Sequence, residues 1–189
     1  MAKVKIAVIV GSNRRESINA KLAHALARLG ADKAEFEFVP IGDLPLYNQD
    51  LEAELPKSVV RFKSQIAAAD GLLFVTPEHN RSIPALLKNA IDWGARPYGR
   101  NSWNGTPAAI TGTSPGAIGA ALAQVHPRQI LGTLGVLVMG GEAYISFRPG
   151  VLDANGNITD ESTRGFLKAF VDQFATFAGR LSFPQEVAA

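Results

Sequence analysis

Short runs of aliphatic residues alternate along the chain with segments in which apolar residues recur at helical spacing. Runs rich in Val, Ile and Leu and bounded by Gly or Pro are typical of strands buried on both faces of a parallel sheet. The pattern predicts five strands, at residues 4–10, 35–39, 71–76, 107–111 and 135–139.

Helical segments are predicted between these runs. An apolar stripe at offsets 4, 7 and 11 from Ile18 to Leu29 predicts a helix that begins near Ser17 and stops at Gly30. The same spacing predicts helices at residues 57–68 and 84–95, one between Gly116 and about Leu131, and a last one with the stripe Phe166, Phe170, Phe174, Phe177 and Leu181.

Strands that alternate with helices predict a parallel sheet with helices on both faces. Five such units in a chain of 189 residues fit an α/β, flavodoxin-like doubly wound sandwich with a five-stranded parallel sheet in the order 2-1-3-4-5. We expect residues 1–189 to form a single domain. Ligands of such sheets bind beyond the carboxyl ends of the strands, where the strand order reverses.

Composition excludes several classes of function. The chain has no cysteine, which excludes disulfides, thiolate metal sites and thiol nucleophiles. Lys and Arg number 19 against 17 Asp and Glu, without long runs of one sign, so we expect no nucleic-acid or membrane partner. The apolar run at residues 6–10 is shorter than a signal peptide needs, and the uncharged residues 101–127 are too polar for a membrane span, so a cytoplasmic protein is expected.

The loop after the first strand has the features of a phosphate site. Gly11 permits a sharp turn, Ser12 and Ser17 carry hydroxyls, and Arg14 and Arg15 carry positive charge just before a helix N-terminus, which favours anions. Neither G-x-x-x-x-G-K-[ST] nor G-x-G-x-x-G occurs, which disfavours a nucleoside triphosphatase and a dinucleotide Rossmann site. The alternative is that Ser17 only caps the helix and the arginines are solvated.

The loop after the third strand carries two prolines seven residues apart, and Asn80 between them tolerates unusual backbone angles. A stiff loop of this kind can present backbone groups to the edge of a planar heterocycle. Glu78 and His79 could instead form a metal site or an acid–base pair, but His24 and His126 lack ligand spacing. The remaining alternative is a rigid turn without a ligand.

Small residues follow the fourth strand. The sequence Gly112-Thr-Ser-Pro-Gly116, with Gly119 after it, would let a ligand approach the backbone closely. A response-regulator receiver is excluded because the first and third strands end in Val-Gly-Ser and Val-Thr-Pro rather than in acidic residues. Three strand ends of this composition together predict a ligand site.

The chain carries three strings, GSNRRESIN from residue 11, TPEHNRSIPALLKNAIDW from residue 76 and GTSPGAIG from residue 112. With these it resembles the NADPH-dependent FMN reductase family, and in particular the chromate and quinone reductase branch. The resemblance covers most of the chain, including DLPLYNQDL after the second strand. It implies a tightly but noncovalently held FMN, NADPH or NADH as cosubstrate, and a homodimer or homotetramer with the flavin near an interface.

The resemblance also implies a set of cofactor-binding residues, while no catalytic side chain and no metal are expected because FMN carries the chemistry. The expected phosphate ligands are Ser12, Arg14, Ser17 and Asn19; the isoalloxazine would lie along Pro77, Glu78, His79 and Asn80, and the ribityl–ring side along Thr113, Ser114 and Gly116. Gly11 and Arg81 complete the expected cofactor-binding set. Arg81, Arg96 and Arg100 are candidates to contact a nucleotide phosphate or an anionic acceptor, or else are solvated or interface arginines. Trp93 is compatible with an interface position.

Two positions depart from the family pattern. His79 stands where the family usually has Tyr, and Gly119-Ala120 stands where many relatives have paired glycines. We expect His79 to change stacking beside the flavin, pH dependence or the choice of acceptor. FMN binding should survive, because the backbone contacts of this loop do not depend on the side chain.

The implied function is transfer of a hydride from NADPH or NADH through FMN to a quinone or a similar acceptor such as chromate, a ferric chelate or an azo compound. One alternative is a flavodoxin-type electron carrier, which the net charge of +2 disfavours because such carriers are acidic. Another is a flavin-sensing protein without turnover. The sequence leaves the physiological acceptor, the preferred nucleotide and the number of subunits open.

Overall fold

A computed structural model describes residues 3–182 of the chain. Its strands are β1 (Val4–Val10), β2 (Ala34–Phe38), β3 (Gly71–Val75), β4 (Pro107–Ser114), β5 (Leu137–Val138) and β6 (Tyr144–Ser146). Its α-helices are α1 (Ile18–Leu29), α2 (Lys57–Ala67), α3 (Ala85–Ala95), α4 (Ala121–Thr133) and α5 (Glu161–Leu181), and a 3-10 helix covers Gln49–Glu52.

The sheet has the predicted order β2-β1-β3-β4-β5, and all of its pairings are parallel. The central strand β1 places Val8 beside Phe38 of β2 and Leu73 of β3. The flavodoxin-like fold is therefore confirmed. The carboxyl ends of β1, β3 and β4 lie at the same edge, as the position of a ligand site requires.

A sixth strand was not predicted. In addition to its partners in the main sheet, β4 pairs with β6 in parallel, from Gly112 opposite Tyr144 to Ser114 opposite Ser146. The prediction that the fourth strand stops at Thr111 is therefore wrong. Its last residues, a glycine and two hydroxyl-bearing residues, are typical of a loop in sequence. Pairing with β6 nevertheless extends the strand to Ser114.

Two other boundaries differ from the prediction. The fifth strand has only the residues Leu137–Val138, and Gly135, where it was expected to begin, has a φ of 81° that does not fit a strand. Helix α4 begins at Ala121, because Gly119 and Ala120 take left-handed conformations with φ of 54° and 63°.

The core consists of two clusters, one on each face of the sheet. Leu22 of α1 and Phe174 of α5 lie in one cluster, and Phe62 of α2, Trp93 of α3 and Trp103 lie in the other. Trp93 is completely buried and its Nε1 donates a hydrogen bond to the carbonyl of Pro45, 2.7 Å away. The sequence is compatible with an interface position for Trp93, but its buried side chain offers no surface to a partner.

The inward face of α5 is rotated from the predicted stripe. Phe170 and Phe174 are buried as expected, but Phe166 is 48% exposed, and Leu167 and Val171 are buried instead. From Leu167 to Ala178 the buried residues recur three or four positions apart, so the inward stripe is continuous and is displaced from the predicted one. Within residues 3–182, no helix is both long and apolar enough to cross a membrane.

We predict that Gly94→Ala in α3 destabilises the protein. A Cβ at Gly94 would lie 2.2 Å from the ring of the buried Trp103. Overpacking of this kind should lower the free energy of unfolding by about 1–3 kcal/mol. Urea denaturation followed by circular dichroism measures the change.

Gly165→Ala in α5 is the matched control, because nothing lies within 4 Å of a Cβ at that position. It should raise the free energy of unfolding by up to about 1 kcal/mol, since alanine is the better helix former. A Gly94→Ala variant as stable as the wild type would contradict the packing described.

Candidate active site

A cavity of about 550 Å³ opens at the carboxyl ends of β1, β3 and β4. This volume lies in the range of small-molecule and cofactor sites. The sequence-predicted residues that line it are Gly11, Ser12, Arg14, Ser17, Asn19, Pro77, Glu78, His79, Thr113 and Ser114. Asn80, Arg81 and Gly116 are close in sequence but are not part of the lining. We call this the first cavity.

The N-terminus of α1 forms one end of the first cavity. The Ser17 hydroxyl accepts a hydrogen bond from the backbone N–H of Ala20 at 3.2 Å, so Ser17 caps the helix and also lines the cavity. Within residues 3–182 the backbone N–H groups of Ile18 and Asn19 have no hydrogen-bond partner. These N–H groups, the helix dipole and the nearby Arg14 favour an anion here.

The Asn19 side chain joins α1 to the end of β4. Its amide accepts a hydrogen bond from the backbone N–H of Thr113 at 2.9 Å and donates one to the Thr113 carbonyl at 3.0 Å. Asn19 and Thr113 are both buried. Both ends of this amide are therefore used within the protein, and Asn19 positions two walls of the first cavity.

Two threonine hydroxyls of β4 hold residues 143–145 beside this strand. Thr111 donates its hydroxyl to the carbonyl of Ala143, and Thr113 donates its hydroxyl to the carbonyl of Ile145. Between these residues a Cβ at Gly112 would lie 2.0 Å from the carbonyl oxygen of Thr76. The glycine permits β4 to approach the end of β3, and the hydroxyls keep β6 beside it.

A two-residue turn lies next to the cavity after β3. His79 and Ser82 exchange two backbone hydrogen bonds of 2.9 Å, and between them Asn80 and Arg81 have φ of 50° and 65°. Two successive left-handed residues are typical of a type I′ turn. Arginine seldom adopts this conformation, and such backbone strain is found disproportionately at functional sites.

Glu78 is anchored by its carboxylate. One oxygen accepts hydrogen bonds from the backbone N–H groups of Leu122 and Ala123 at 3.1 and 3.2 Å, and the other accepts one from Arg81 at 3.0 Å. The side chain is only 10% exposed. A carboxylate in this position stabilises the N-terminus of α4, so Glu78 faces the first cavity from a fixed position.

A second contact ties the same loop to α4. The Ser82 hydroxyl lies 2.7 Å from Nδ1 of His126. Among residues 3–182 there is no group of three or more His, Cys, Asp or Glu side chains that could hold a metal ion. Glu78 and His126 are thus engaged in holding the loop against α4.

The other candidate arginines differ in what they contact. Nε of Arg96 donates to the Tyr47 hydroxyl at 3.0 Å and to Glu52 at 2.7 Å. The Tyr47 hydroxyl and the Arg96 guanidinium hold the pKa of Glu52 below its ordinary value. Within the described residues the Arg100 side chain has no hydrogen-bond partner, so of Arg96 and Arg100 only the latter has an uncommitted guanidinium.

Lys63 holds the segment that follows α3. Its ammonium group donates hydrogen bonds to the carbonyls of Gly94, Arg96 and Arg100 at 3.1, 2.8 and 2.8 Å. Burial lowers the pKa of Lys63 to about 8. A lysine on the face of α2 thus fixes the backbone from which Arg96 and Arg100 project.

Sequence reasoning missed part of the lining of the first cavity. The missed residues are Asn13, Ile18, Pro84, Ala85, Leu86 and Pro115. Most are apolar or lack reactive groups, so a search for chemistry-bearing side chains passes over them. Each lies inside one of the three strings that carry the family resemblance, and that membership is the signal that could have found them.

Comparisons with known proteins agree on one family. A family model described as NADPH-dependent FMN reductase matches residues 4–149. A 2-hydroxy-1,4-benzoquinone reductase from Burkholderia sp is 53% identical over 175 residues, which cover 92% of this chain and 96% of the relative. A quinone reductase from Pseudomonas putida is 50% identical over 174 residues, covering 91% of this chain and 93% of the relative.

A solved structure extends the agreement to three dimensions. FerB, a flavoenzyme NAD(P)H:(acceptor) oxidoreductase from Paracoccus denitrificans, superposes with a TM-score of 0.92 at 48% sequence identity. The match covers 95% of this chain and 100% of that one.

We predict that Asn19→Ala lowers the free energy of unfolding by about 2–4 kcal/mol, because two buried hydrogen bonds are lost and the Thr113 N–H is left unsatisfied. Chemical denaturation of the flavin-free protein measures this loss. Asn13→Ala is the control, since Asn13 lines the same cavity but is exposed, and it should stay within about 0.5 kcal/mol of the wild type. Equal stability of the two variants would refute the supporting role of Asn19.

Proposed function

The chain belongs to the NADPH-dependent FMN reductase family, and we propose that its first cavity is where FMN binds. The protein is an enzyme, an NAD(P)H-dependent FMN-containing oxidoreductase that reduces quinones or similar small-molecule acceptors. The observation that carries the assignment of the cavity is the anion site at the N-terminus of α1. It lies at the edge of the sheet where doubly wound proteins bind nucleotides.

The residues of the first cavity offer the donors and the walls that FMN needs. The unpaired N–H groups of Ile18 and Asn19, with Arg14 beside them, suit a phosphate. Pro77 and His79 offer a wall from the β3 loop at the other side, while Ser114 offers one from β4. The donors at the N-terminus of α1 therefore suit a phosphate group, and the space between the two loops suits a flat ring.

The chain's own residues supply position rather than bond-breaking chemistry. When bound, FMN would supply the hydride-transfer chemistry between NADPH or NADH and the acceptor. Glu78 fixes the β3 loop through α4, and Asn19 fixes the end of β4 through α1, so the two walls of the cavity are held independently. Walls held in this way keep the ring at a constant orientation, which hydride transfer requires.

The acceptor is proposed to be a quinone, because the relatives at 53% and 50% identity are named benzoquinone and quinone reductases. Chromate, ferric chelates and azo compounds are further acceptors to compare with it. A carrier or sensor would bind flavin without steady turnover, so turnover discriminates between these functions.

The experiment is an absorption spectrum of protein reconstituted with FMN and desalted, recorded under anaerobic conditions. We expect the flavin band to be retained, to bleach when NADPH or NADH is added, and to return when a soluble quinone follows. Retained flavin that does not bleach would indicate a carrier or a sensor. Protein without a flavin band would refute FMN binding.

Two neighbouring arginines provide a test of whether the FMN phosphate binds at the N-terminus of α1. Arg14 lines the first cavity and Arg15 does not, although both are exposed. Arg14→Gln should weaken FMN binding by about tenfold, the effect of losing one charge-assisted hydrogen bond. Arg15→Gln should change it little. Fluorescence titration of the flavin-free protein with FMN gives both dissociation constants, and equal weakening by the two variants would contradict the assignment.

We also propose that two copies of the chain associate through α4. Leu122 and Val125, three residues apart on this helix, form an apolar stripe with exposures of 44% and 51%, and Ile118, just before the helix, is 49% exposed. Stripes of this kind on a folded surface are typical of interfaces. Because Glu78 ties α4 to the β3 loop, this interface would lie beside the flavin.

Val125→Glu should convert a dimer to a monomer, because a charge at the centre of an apolar interface is costly to desolvate. Phe166→Glu is the control, since Phe166 is 48% exposed but lies on α5. Light scattering coupled to size-exclusion chromatography measures both masses. A monomeric wild type, or a Val125→Glu variant that remains dimeric, would exclude this interface.

A further inference from the structure

The reduction of a quinone in the first cavity consumes a proton as well as a hydride. A quinone that gains a hydride becomes the monoanion of the hydroquinone, and one further proton on oxygen completes the neutral product. A proton-donating side chain beside the acceptor speeds such a step, because it neutralises the charge as it forms on oxygen. A side chain of the lining that can give up a proton near neutral pH would therefore take part in the reaction.

Among residues 3–182, three titratable side chains line the first cavity, namely Arg14, Glu78 and His79. Arg14 is not a proton donor, because a guanidinium keeps its proton throughout the ordinary pH range. The Glu78 carboxylate accepts hydrogen bonds from two backbone N–H groups of α4 and from Arg81. It acts there as an acceptor and has no proton to give. His79 is thus the remaining candidate.

The imidazole of His79 is uncommitted. Its side chain is exposed, and among residues 3–182 its ring has no hydrogen-bond or ion-pair partner, since the hydrogen bonds of His79 are made by its backbone. Imidazole side chains change charge between about pH 5 and 8, so a protonated ring is a proton donor in this range. Because the ring is exposed, it can recover its proton from water.

The backbone that carries this imidazole is fixed on both sides. His79 and Ser82 exchange two backbone hydrogen bonds of 2.9 Å, and the Ser82 hydroxyl lies 2.7 Å from Nδ1 of His126. On the other side, Glu78 is bonded to the N-terminus of α4. A general acid has to stay within hydrogen-bond reach of the atom that it protonates, and these anchors hold the segment from which the ring projects.

Few charged groups surround His79. Arg81 in the same turn pairs with Glu78 at 3.0 Å, so these two charges offset one another. Arg14 lies at the α1 end of the lining, and the lining residues from the start of α3 and the end of β4 carry no charge. From α4, His126 approaches the turn through Ser82 but does not line the cavity. Of these groups, His79 alone both lines the cavity and changes charge near neutral pH.

We propose that His79 is the general acid of quinone reduction. The hydride comes from NADPH or NADH through FMN, so the nicotinamide is oxidised and the quinone is reduced. As the proton moves, an N–H bond of the imidazolium breaks and an O–H bond of the hydroquinone forms, and the neutral ring then takes a proton from water.

This inference rests on the proposed function, which places the flavin ring beside the loop after β3. It adds one chemical step to the positioning that the other residues of the cavity provide. It also differs from the sequence-based expectation that no side chain takes part in the chemistry, and the tests below separate the two.

The kinetic test follows the two halves of the reaction by stopped-flow absorption of the FMN-loaded enzyme. His79→Gln should slow the return of the flavin band on addition of a soluble quinone by about a hundredfold at about pH 6, the lower end of what a general acid contributes. Bleaching by NADPH should change much less. His24→Gln is the matched control, because His24 is an exposed histidine that does not line the first cavity, and it should keep both rates.

The pH and the acceptor distinguish an acid from a residue that only supports the loop. In the wild type the quinone step should slow by about tenfold between about pH 6 and 8, because the imidazolium is lost as the pH rises. The same step in His79→Gln should be independent of pH over this range. A ferric chelate takes up an electron and no proton, so His79→Gln should lose far less rate with a ferric chelate than with a quinone.

A third readout does not depend on turnover. Hydroquinone is titrated into the oxidised, FMN-loaded wild type, and the ring-proton signals of the histidines are followed by nuclear magnetic resonance. The His79 signal, assigned by its absence from His79→Gln, should shift because the hydroquinone oxygen lies against the ring. The signal of His24 should stay in place.

Three results would overturn the proposal. They are a His79→Gln enzyme that reduces the quinone as fast and with the same pH dependence as the wild type, equal losses of rate with quinone and ferric chelate, and a His79 signal that hydroquinone does not shift. A wild type that holds no flavin would instead overturn the proposed function. The flavin band of the wild type, recorded before any quinone is added, tells the two failures apart.

Discussion

The side-chain amide of Asn19 is the interaction on which the site depends. It is buried, and it bonds both the N–H and the carbonyl of Thr113. It thus fixes the distance between a helix N-terminus that attracts anions and the strand end that faces them. The hydroxyl of Thr113 extends the same network to the carbonyl of Ile145 and so to β6.

The loop after β3 is held in a different way, from the opposite side. Its position depends on the Glu78 carboxylate against the first N–H groups of α4 and on the contact between Ser82 and His126. A carboxylate at a helix N-terminus is stabilised by the dipole, so it costs little to keep it largely buried there. The left-handed turn at Asn80 and Arg81 is a strain that these anchors must offset.

Most of the fold was predictable from the sequence, because each buried strand is a compact aliphatic run and each helix has a stripe. The strand β6 and the extension of β4 to Ser114 were not, because three residues of mixed polarity carry no period and depend on pairing across the chain. In the site, the motif positions Ser17 and Pro77 could be placed at the cavity. The internal roles of Asn19 and Glu78 could not, because an amide or a carboxylate that bonds backbone groups has the same sequence signature as one that contacts a ligand.

The anchoring of the β3 loop on α4 would couple the proposed association of two copies to the proposed binding of flavin. The helix that carries the proposed subunit contact is also the helix whose first N–H groups hold Glu78. If association helps to order this loop, it favours flavin binding. By thermodynamic linkage, flavin binding then favours association by the same free energy. The cofactor would then act as a concentration-dependent stabiliser of the assembly, and a dilute, flavin-poor cell would hold the enzyme in a form that is both dissociated and inactive.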